Sequence, residues 1–205
     1  MNFHKIQYAT MLVFGLALIK GGFSCQATTL GPIGGNSSGT FDHRDEATKP
    51  ITRIRIWHGS IFDRIQVYYG KKKLGTCNPL DNSFNAEFRV SPNDPIVKVS
   101  GVYGYWYGGM HLAKVVFKTR KGKQFGPFGS GDSMESQTPF SLSAPVDEKI
   151  RAFFGGCFLH SDNAVFLSLL GAETEEIIHR EILETRSKNV EKTNHKARKN
   201  RTSKQ

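Results

Sequence analysis

The run Phe153-Phe154-Gly155-Gly156-Cys157-Phe158-Leu159-His160-Ser161-Asp162 ends on a single carboxylate just ahead of the apolar stretch Ala164 to Leu170. A short acidic side chain held in a loop between two strands can accept two hydrogen bonds from a vicinal diol, with neighbouring backbone N–H groups completing the grip. That chemistry suits a sugar. The same aspartate can instead order its own turn through an Asx-type bond, and the local sequence leaves both readings open.

Other groupings carry less. His160, Ser161 and Asp162 are the residue types of a hydrolytic triad, but neighbours on an extended chain point to opposite faces and cannot line up a proton relay. Asp42, His43 and Asp45 could ligate a metal, yet nothing fixes their geometry, and a polar loop is the simpler reading. The body of the chain has no phosphate-cradling loop, no paired catalytic acids and no CxxC motif. The expectation is a binding protein without catalysis, cofactor or metal. Tyr103-Gly104-Tyr105-Trp106-Tyr107-Gly108-Gly109 sets four aromatic residues among glycines; such rings can stack on sugar C–H surfaces or, alternating along a strand, fill a core.

The elements around these residues read as strands. Ile54 and Ile56 alternate with Arg53 and Arg55, and Ile65, Val67 and Tyr69 alternate with Arg64, Gln66 and Tyr68. Phe84, Ala86, Phe88 and Val90 share a face, as do Ala113, Val115 and Phe117 opposite Lys114 and Lys118. A period of two marks half-buried antiparallel strands. Turn chemistry separates them at Tyr69-Gly70-Lys71, Ser91-Pro92-Asn93-Asp94-Pro95 and Lys121-Gly122. No helical periodicity stands out between residues 30 and 170, so the body is expected to be all-β. Beyond Gly171, Ala172 to Glu184 is expected to form a helix with Ile177, Ile178, Ile182 and Leu183 on one side. From Arg186 to Gln205 eight Lys or Arg face one Glu, the composition of a disordered basic tail.

Met1 to Ser24 has the form of a secretory leader: a weakly basic start, a short apolar run from Tyr8 to Ile19, and small residues at Gly22 and Ser24. The apolar run is too short to span a bilayer comfortably, so the expected location is secreted, extracellular or the lumen of a secretory granule, with no transmembrane segment after the leader is removed. That compartment permits disulfides. Of the three cysteines, Cys77 with Cys157 is the expected pair, and Cys157 as a small buried apolar residue is the alternative. Asn36-Ser37-Ser38 and Asn200-Arg201-Thr202 are glycosylation acceptor patterns. The formal charge is +10, and loss of Lys5 and Lys20 with the leader leaves it strongly positive. A secreted chain so basic is drawn to polyanions such as sulfated polysaccharides or anionic lipid headgroups, and the compartment argues against nucleic acid. Lys71, Lys72 and Lys73 on one turn, with Arg120, Lys121 and Lys123 on another, are the candidate patch for that alternative function, or they are solvated hairpin tips.

Taken in order, several segments carry a resemblance. They are Gly31-Pro32-Ile33-Gly34-Gly35, Phe62 to Tyr69, Val99-Ser100-Gly101-Val102-Tyr103-Gly104, Val116-Phe117-Lys118-Thr119, Phe125-Gly126-Pro127-Phe128-Gly129, Thr138-Pro139-Phe140 and Ile150 to Gly155. Together they resemble the jacalin-related lectins, over roughly residues 30 to 171, and a leader with a single domain makes the chain most similar to the animal zymogen-granule type. The division expected is a leader over 1–24, a lectin domain over 28–171 and the basic tail over 172–205. The resemblance implies a β-prism I of three four-stranded Greek-key sheets with one sugar site at its end, of mannose or galactose type. Mannose is the expected ligand. It implies a glycine loop at Gly34 and Gly35, a recognition loop from Val102 to Tyr105 including Tyr103 and Gly104, backbone donors at Leu159 and His160, and Asp162 as acceptor of sugar hydroxyls. Where the family has glycine in its Gly-x-x-x-Asp loop this chain has Phe158, which would be strained if the position needed positive φ.

Overall fold

In a computed structural model, which describes residues 27–76 and 83–177, each alternating stretch becomes a strand. The twelve strands are β1 (Thr29–Gly34), β2 (Gly39–Asp42), β3 (Ile51–His58), β4 (Phe62–Tyr69), β5 (Lys72–Gly75), β6 (Ala86–Arg89), β7 (Ile96–Trp106), β8 (Gly109–Thr119), β9 (Gln124–Phe128), β10 (Glu135–Ser143), β11 (Glu148–Leu159) and β12 (Val165–Glu176). There is no helix among the described residues.

The strands make three four-stranded sheets, ordered β5-β4-β3-β6, β10-β7-β8-β9 and β1-β12-β11-β2, with every pairing antiparallel. In the first two, three strands follow one another and the fourth returns beside the first, a Greek key. The third has the same key divided between the two ends of the described chain: β11 and β12 at one end, β1 and β2 at the other. This is the β-prism that the resemblance implied.

One face of each sheet forms a shared interior. Ile54, Ile56, Ile65, Val67, Val99, Val115, Phe117, Phe153, Leu167 and Leu170 are wholly inaccessible to solvent. Phe88 of β6 lies flat on Phe125 of β9, with ring centroids 4.1 Å apart, and tilts against Phe117 of β8. Two of the sheets are thereby joined through aromatic rings, each such burial contributing about 1.5–3 kcal/mol. Gln66 and Tyr68 sit on the outward side of β4 and are nonetheless buried. The guanidinium of Arg53 on the neighbouring strand covers the Tyr68 ring at 3.7 Å, a cation–π contact that shields the ring from water.

The helix expected from Ala172 is not found where the chain is described: Ala172 to Glu176 continue β12. Ala172 and Thr174 are fully buried, and β1 and β11 pair with this segment from both sides. Sheet partners on both edges satisfy the backbone, and that outweighs a loose helical spacing of isoleucines. The strand therefore runs past the boundary expected at residue 171. The leader 1–24, Cys25, Cys77, Asn200 and the tail beyond 177 lie outside the described residues.

Candidate functional site

Three connections meet at one end of the prism: β1 to β2, β7 to β8 and β11 to β12. The first crosses its neighbours closely because two glycines let it. Gly34 has φ 123°, and a Cβ there would stand 1.9 Å from the Ser168 carbonyl oxygen; a Cβ on Gly35 would stand 2.1 Å from the Met110 Cβ. The Gly35 N–H donates to the Ser168 carbonyl at 3.0 Å. Further on, the Ser38 hydroxyl donates to the Cys157 carbonyl at 3.2 Å and accepts the Leu159 N–H at 2.7 Å. The loop is thus stitched to β12, to the start of β8 and to the end of β11.

The β11–β12 connection is a closed turn of its own. His160 N–H donates to Ala164 O at 2.8 Å, and Asn163 N–H donates to His160 O at 3.0 Å. Asn163 takes φ 66°, the left-handed conformation that asparagine tolerates best among non-glycine residues. Asp162 is exposed, and its Oδ1 accepts the Ala164 N–H at 3.0 Å. Its other carboxylate oxygen has no hydrogen bond among the described residues. One of the two readings of Asp162 is therefore seen directly: one carboxylate oxygen orders its own turn.

The backbone donors expected at Leu159 and His160 are spent inside the protein, on Ser38 and Ala164. Chain groups closed off from water must find partners, and here the loop supplies them itself. The strain expected at Phe158 is also not found. Phe158 is an extended residue of β11 paired with Phe166, and it is not among the residues with positive φ. Its ring lies 3.3 Å from where a Gly109 Cβ would be, so the missing side chain at Gly109 makes room for it.

The expected recognition loop is corrected as well. Val102 to Tyr105 are part of β7; Tyr103 is half-buried and packs on the core. Gly104 is buried, with a Cβ there only 2.8 Å from Glu135 O. The actual turn is Tyr107-Gly108, with φ 44° and 82°, the signs of a two-residue type I′ hairpin. Tyr105 and Tyr107 are exposed there, Tyr107 at 58%, and they, not Tyr103, are the aromatics of this end.

Beneath the tip lies a pair that the sequence reading did not single out. His111 is fully buried and His160 nearly so; their rings stack with centroids 5.0 Å apart and the two Nε2 atoms 3.1 Å apart. Trp106 and Phe166 stand edge-on to both rings, and Tyr107 tilts onto His160 at 5.1 Å. One Nε2–H must donate to the other ring's bare Nε2, so the accepting ring is a neutral imidazole and the contact is lost if both rings are protonated. Burial, and then the nearness of His160, pushes the His111 pKa from 6.5 down to about 4; the Leu167 backbone works weakly the other way. Among the described residues no group meets hydrogen-bond geometry at His111 Nδ1. The parity of Val115 and Phe117 could not have found His111, because the register of β8 against β7 shifts between Lys114 and Leu112 and it is Leu112 that joins Val115 and Phe117 in the core.

This geometry has a pH consequence. Between pH 6.5 and about 4 the unfolded chain takes up a proton that folded His111 refuses, so stability from the pair is complete above that window and is lost as the pH falls through it. Asp63, whose pKa burial raises to about 6, titrates with the opposite sign, so the whole-chain stability curve mixes the two. The ring carbon shifts of His111 in NMR separate them. They are expected to report a neutral imidazole at pH 5, and a midpoint near 6.5 would mean the pair is open.

The other expected sites are dispersed. Asp42 is held by Arg44 through Nε at 2.9 Å, which keeps its carboxyl below the usual range. His43 turns inward to Tyr69 Oη at 3.1 Å and Gly75 O at 3.0 Å, so the Asp42–His43–Asp45 grouping points apart. Lys72 pairs with Glu46 at 2.7 Å and Arg120 with Asp147 at 3.5 Å. The Lys121 N–H donates to Asp94 at 2.7 Å, and Lys123 lies over Phe125. Lys71 to Lys73 and Arg120 to Lys123 belong to turns of different sheets.

A sequence model of the Jacalin-like lectin domain matches residues 30–163. Among solved structures, the chain is similar to a mannose-specific jacalin-related lectin from Morus nigra in complex with mannose, with TM-score 0.57 and 25% identity over 75% of this chain and 97% of that one. It is also similar to the mannose-binding lectin from Champedak, with TM-score 0.55 and 22% identity over 73% and 97%. Calystegia sepium agglutinin gives TM-score 0.58 and 19% identity over 73% and 97%. These last two likenesses are of fold alone. No curated protein matches by sequence.

Proposed function

Since this chain belongs to the Jacalin-like lectin domain family, we propose that it is a secreted, non-enzymatic lectin of the zymogen-granule type that recognises mannose-type glycans at the end carrying Asp162. The family and its mannose-specific structural relative from Morus nigra support carbohydrate binding. The observation that carries the reading to this end is Asp162, exposed, with Oδ1 fixed by Ala164 and the second oxygen open. An ionised carboxylate accepts hydroxyl hydrogen bonds more strongly than a neutral group. The exposed Tyr107 ring beside the loop offers a face for sugar C–H groups.

The donors of this site differ from those implied by the resemblance. With the Leu159, His160 and Gly35 amides taken, the amides of Ser161 and Asp162 are the nearest along the loop to complete the grip. The same arrangement speaks for binding without turnover. His160 is buried with Nε2 on His111, where it can serve no nucleophile at Ser161.

Secretion belongs to the same reading and brings oxidation and glycosylation with it. Cys157 is buried, and the disulfide we assign to it is with Cys77. Asn36 is exposed on the β1–β2 connection, so a glycan there would stand on the binding end itself.

The test is retention on immobilised mannan. Methyl α-mannoside is expected to elute the protein and methyl α-galactoside is not, with little change between low and high salt, because neutral-sugar contacts are barely screened. Elution by salt alone would move the function away from Asp162.

A further inference from the structure

The contact between His111 and His160 joins two of the connections that meet at the Asp162 end. His111 stands on β8, in the sheet β10-β7-β8-β9, and His160 follows β11, in the sheet β1-β12-β11-β2. The His160 ring is moored across the sheet boundary, Nε2 to Nε2 at 3.1 Å. Its main chain closes the turn that carries Asp162, donating to Ala164 O at 2.8 Å and accepting the Asn163 N–H at 3.0 Å. One residue therefore ties the shape of that turn to the neighbouring hairpin.

The pair sits in an apolar box. β7 contributes Trp106 and the turn after it Tyr107, β11 contributes Phe158, and β12 contributes Phe166. The Leu167 carbonyl of β12 is the backbone group that acts on His111, and His160 is the charge that acts on it. The Tyr107 phenol is neutral in acid. Asp162, two residues beyond His160, is exposed and turned to the Ala164 N–H. Neither histidine joins a salt bridge among the described residues.

Such a pair tolerates one added proton but not two. With one ring charged, its Nε2–H still meets a bare Nε2 on the other. With both charged, two N–H groups face each other and two like charges lie in a box without a counter-ion. Separation of the rings is the relief. His111 is wholly buried on β8, between β7 and β9, whereas His160 is on a connection and 5% exposed, so His160 is the one to leave.

We propose that this pair is an acid-released latch: when both imidazoles are protonated, the β11–β12 connection parts from the β7–β8 hairpin, and a glycan held at the Asp162 end is let go. Release of the glycan rests on the mannose reading of that end; the opening does not. By linkage, a ligand that needs the closed turn must in return hold off the second proton.

The opening is read without ligand, from the exchange protection of the His160 and Asn163 amides in the full chain between about pH 7 and about pH 3.5. Corrected for the intrinsic pH dependence of exchange, their protection is expected to fall about tenfold or more in acid while that of β3 and β4 amides holds. In the double variant His111→Phe, His160→Phe, whose rings take no proton, it is expected to stay level. Protection that holds in the acidified wild type, or falls equally in the double variant, would overturn the latch. Release is read from immobilised mannan over the same range. The wild type is expected to elute at higher pH, and over a narrower span, than the double variant, in which Asp162 is the remaining acid of the loop; coincident elution would overturn the coupling. The wild type also decides without a variant: saturating methyl α-mannoside should lower the midpoint of the His111 ring carbon shifts, and an unmoved midpoint would overturn the coupling too. Absence of retention at neutral pH would instead strike the mannose reading, with the latch still judged by its amides.

Discussion

Asp162→Asn is expected to weaken mannan binding about tenfold or more while leaving the thermal midpoint almost where it was. Asparagine keeps a carbonyl oxygen where Oδ1 now accepts the Ala164 N–H at 3.0 Å, so the turn survives. What it removes is the negative charge and the second acceptor, replacing that acceptor with an N–H₂ donor. A hydrogen bond to a charged group contributes about 1.5–3 kcal/mol, about ten- to a hundredfold in affinity. Asp162→Ala loses the turn bond as well, at a further cost of about 0.5–1.5 kcal/mol in stability. Titration calorimetry with a mannose oligosaccharide and a melting curve on each variant separate the two effects. Undiminished binding by Asp162→Asn would show that the open oxygen is not the acceptor.

Gly34→Ala is expected to be the most damaging single methyl group in the protein's binding end. The added carbon would fall 1.9 Å from a carbonyl oxygen of β12, with the residue held at φ 123°. Neither problem has a cheap relief: the obstacle is main chain, and β1 pairs Gly34 with Leu169 in the same ladder. Positive-φ strain alone costs about 1–3 kcal/mol, and forced separation of the strands adds to it. A loss of about 3 kcal/mol or more lowers the midpoint by about 10 °C in a chain of this size, and mannan binding should fall with it. Gly39→Ala is the control, since nothing lies within 4 Å of a Cβ there; surface changes of that kind stay within about 0.5 kcal/mol. Equal melting of the two variants would show that the close crossing at Gly34 is not needed.

Much of the architecture was legible because a period of two needs only local sequence. Ile54 and Ile56, Ile65 and Val67, and Val115 and Phe117 alternate along the chain and are all buried. Ala172 to Glu176 was misread because the burial of β12 depends on partners on both edges, which no local window contains. The carboxylate at Asp162 was legible and its turn bond was foreseen as an alternative. The donors were not, because whether the Leu159 amide is free depends on Ser38, 121 residues away. Arg53 and Arg55 read as the solvent side of a strand. That two of the sheet's cations stand in one row follows only from the register of β3 against β6.

The divided third sheet has a consequence for synthesis. The keys built from β3–β6 and β7–β10 can close as soon as their own strands have left the ribosome. The end that holds Asp162 cannot: β1 and β2 emerge early and wait, unpaired, for β11 and β12. Contacts of such long sequence separation are slow to form. The newborn polypeptide thus carries two finished walls before it owns a working tip, and its capacity to grip a ligand arrives last, as a property of the completed chain.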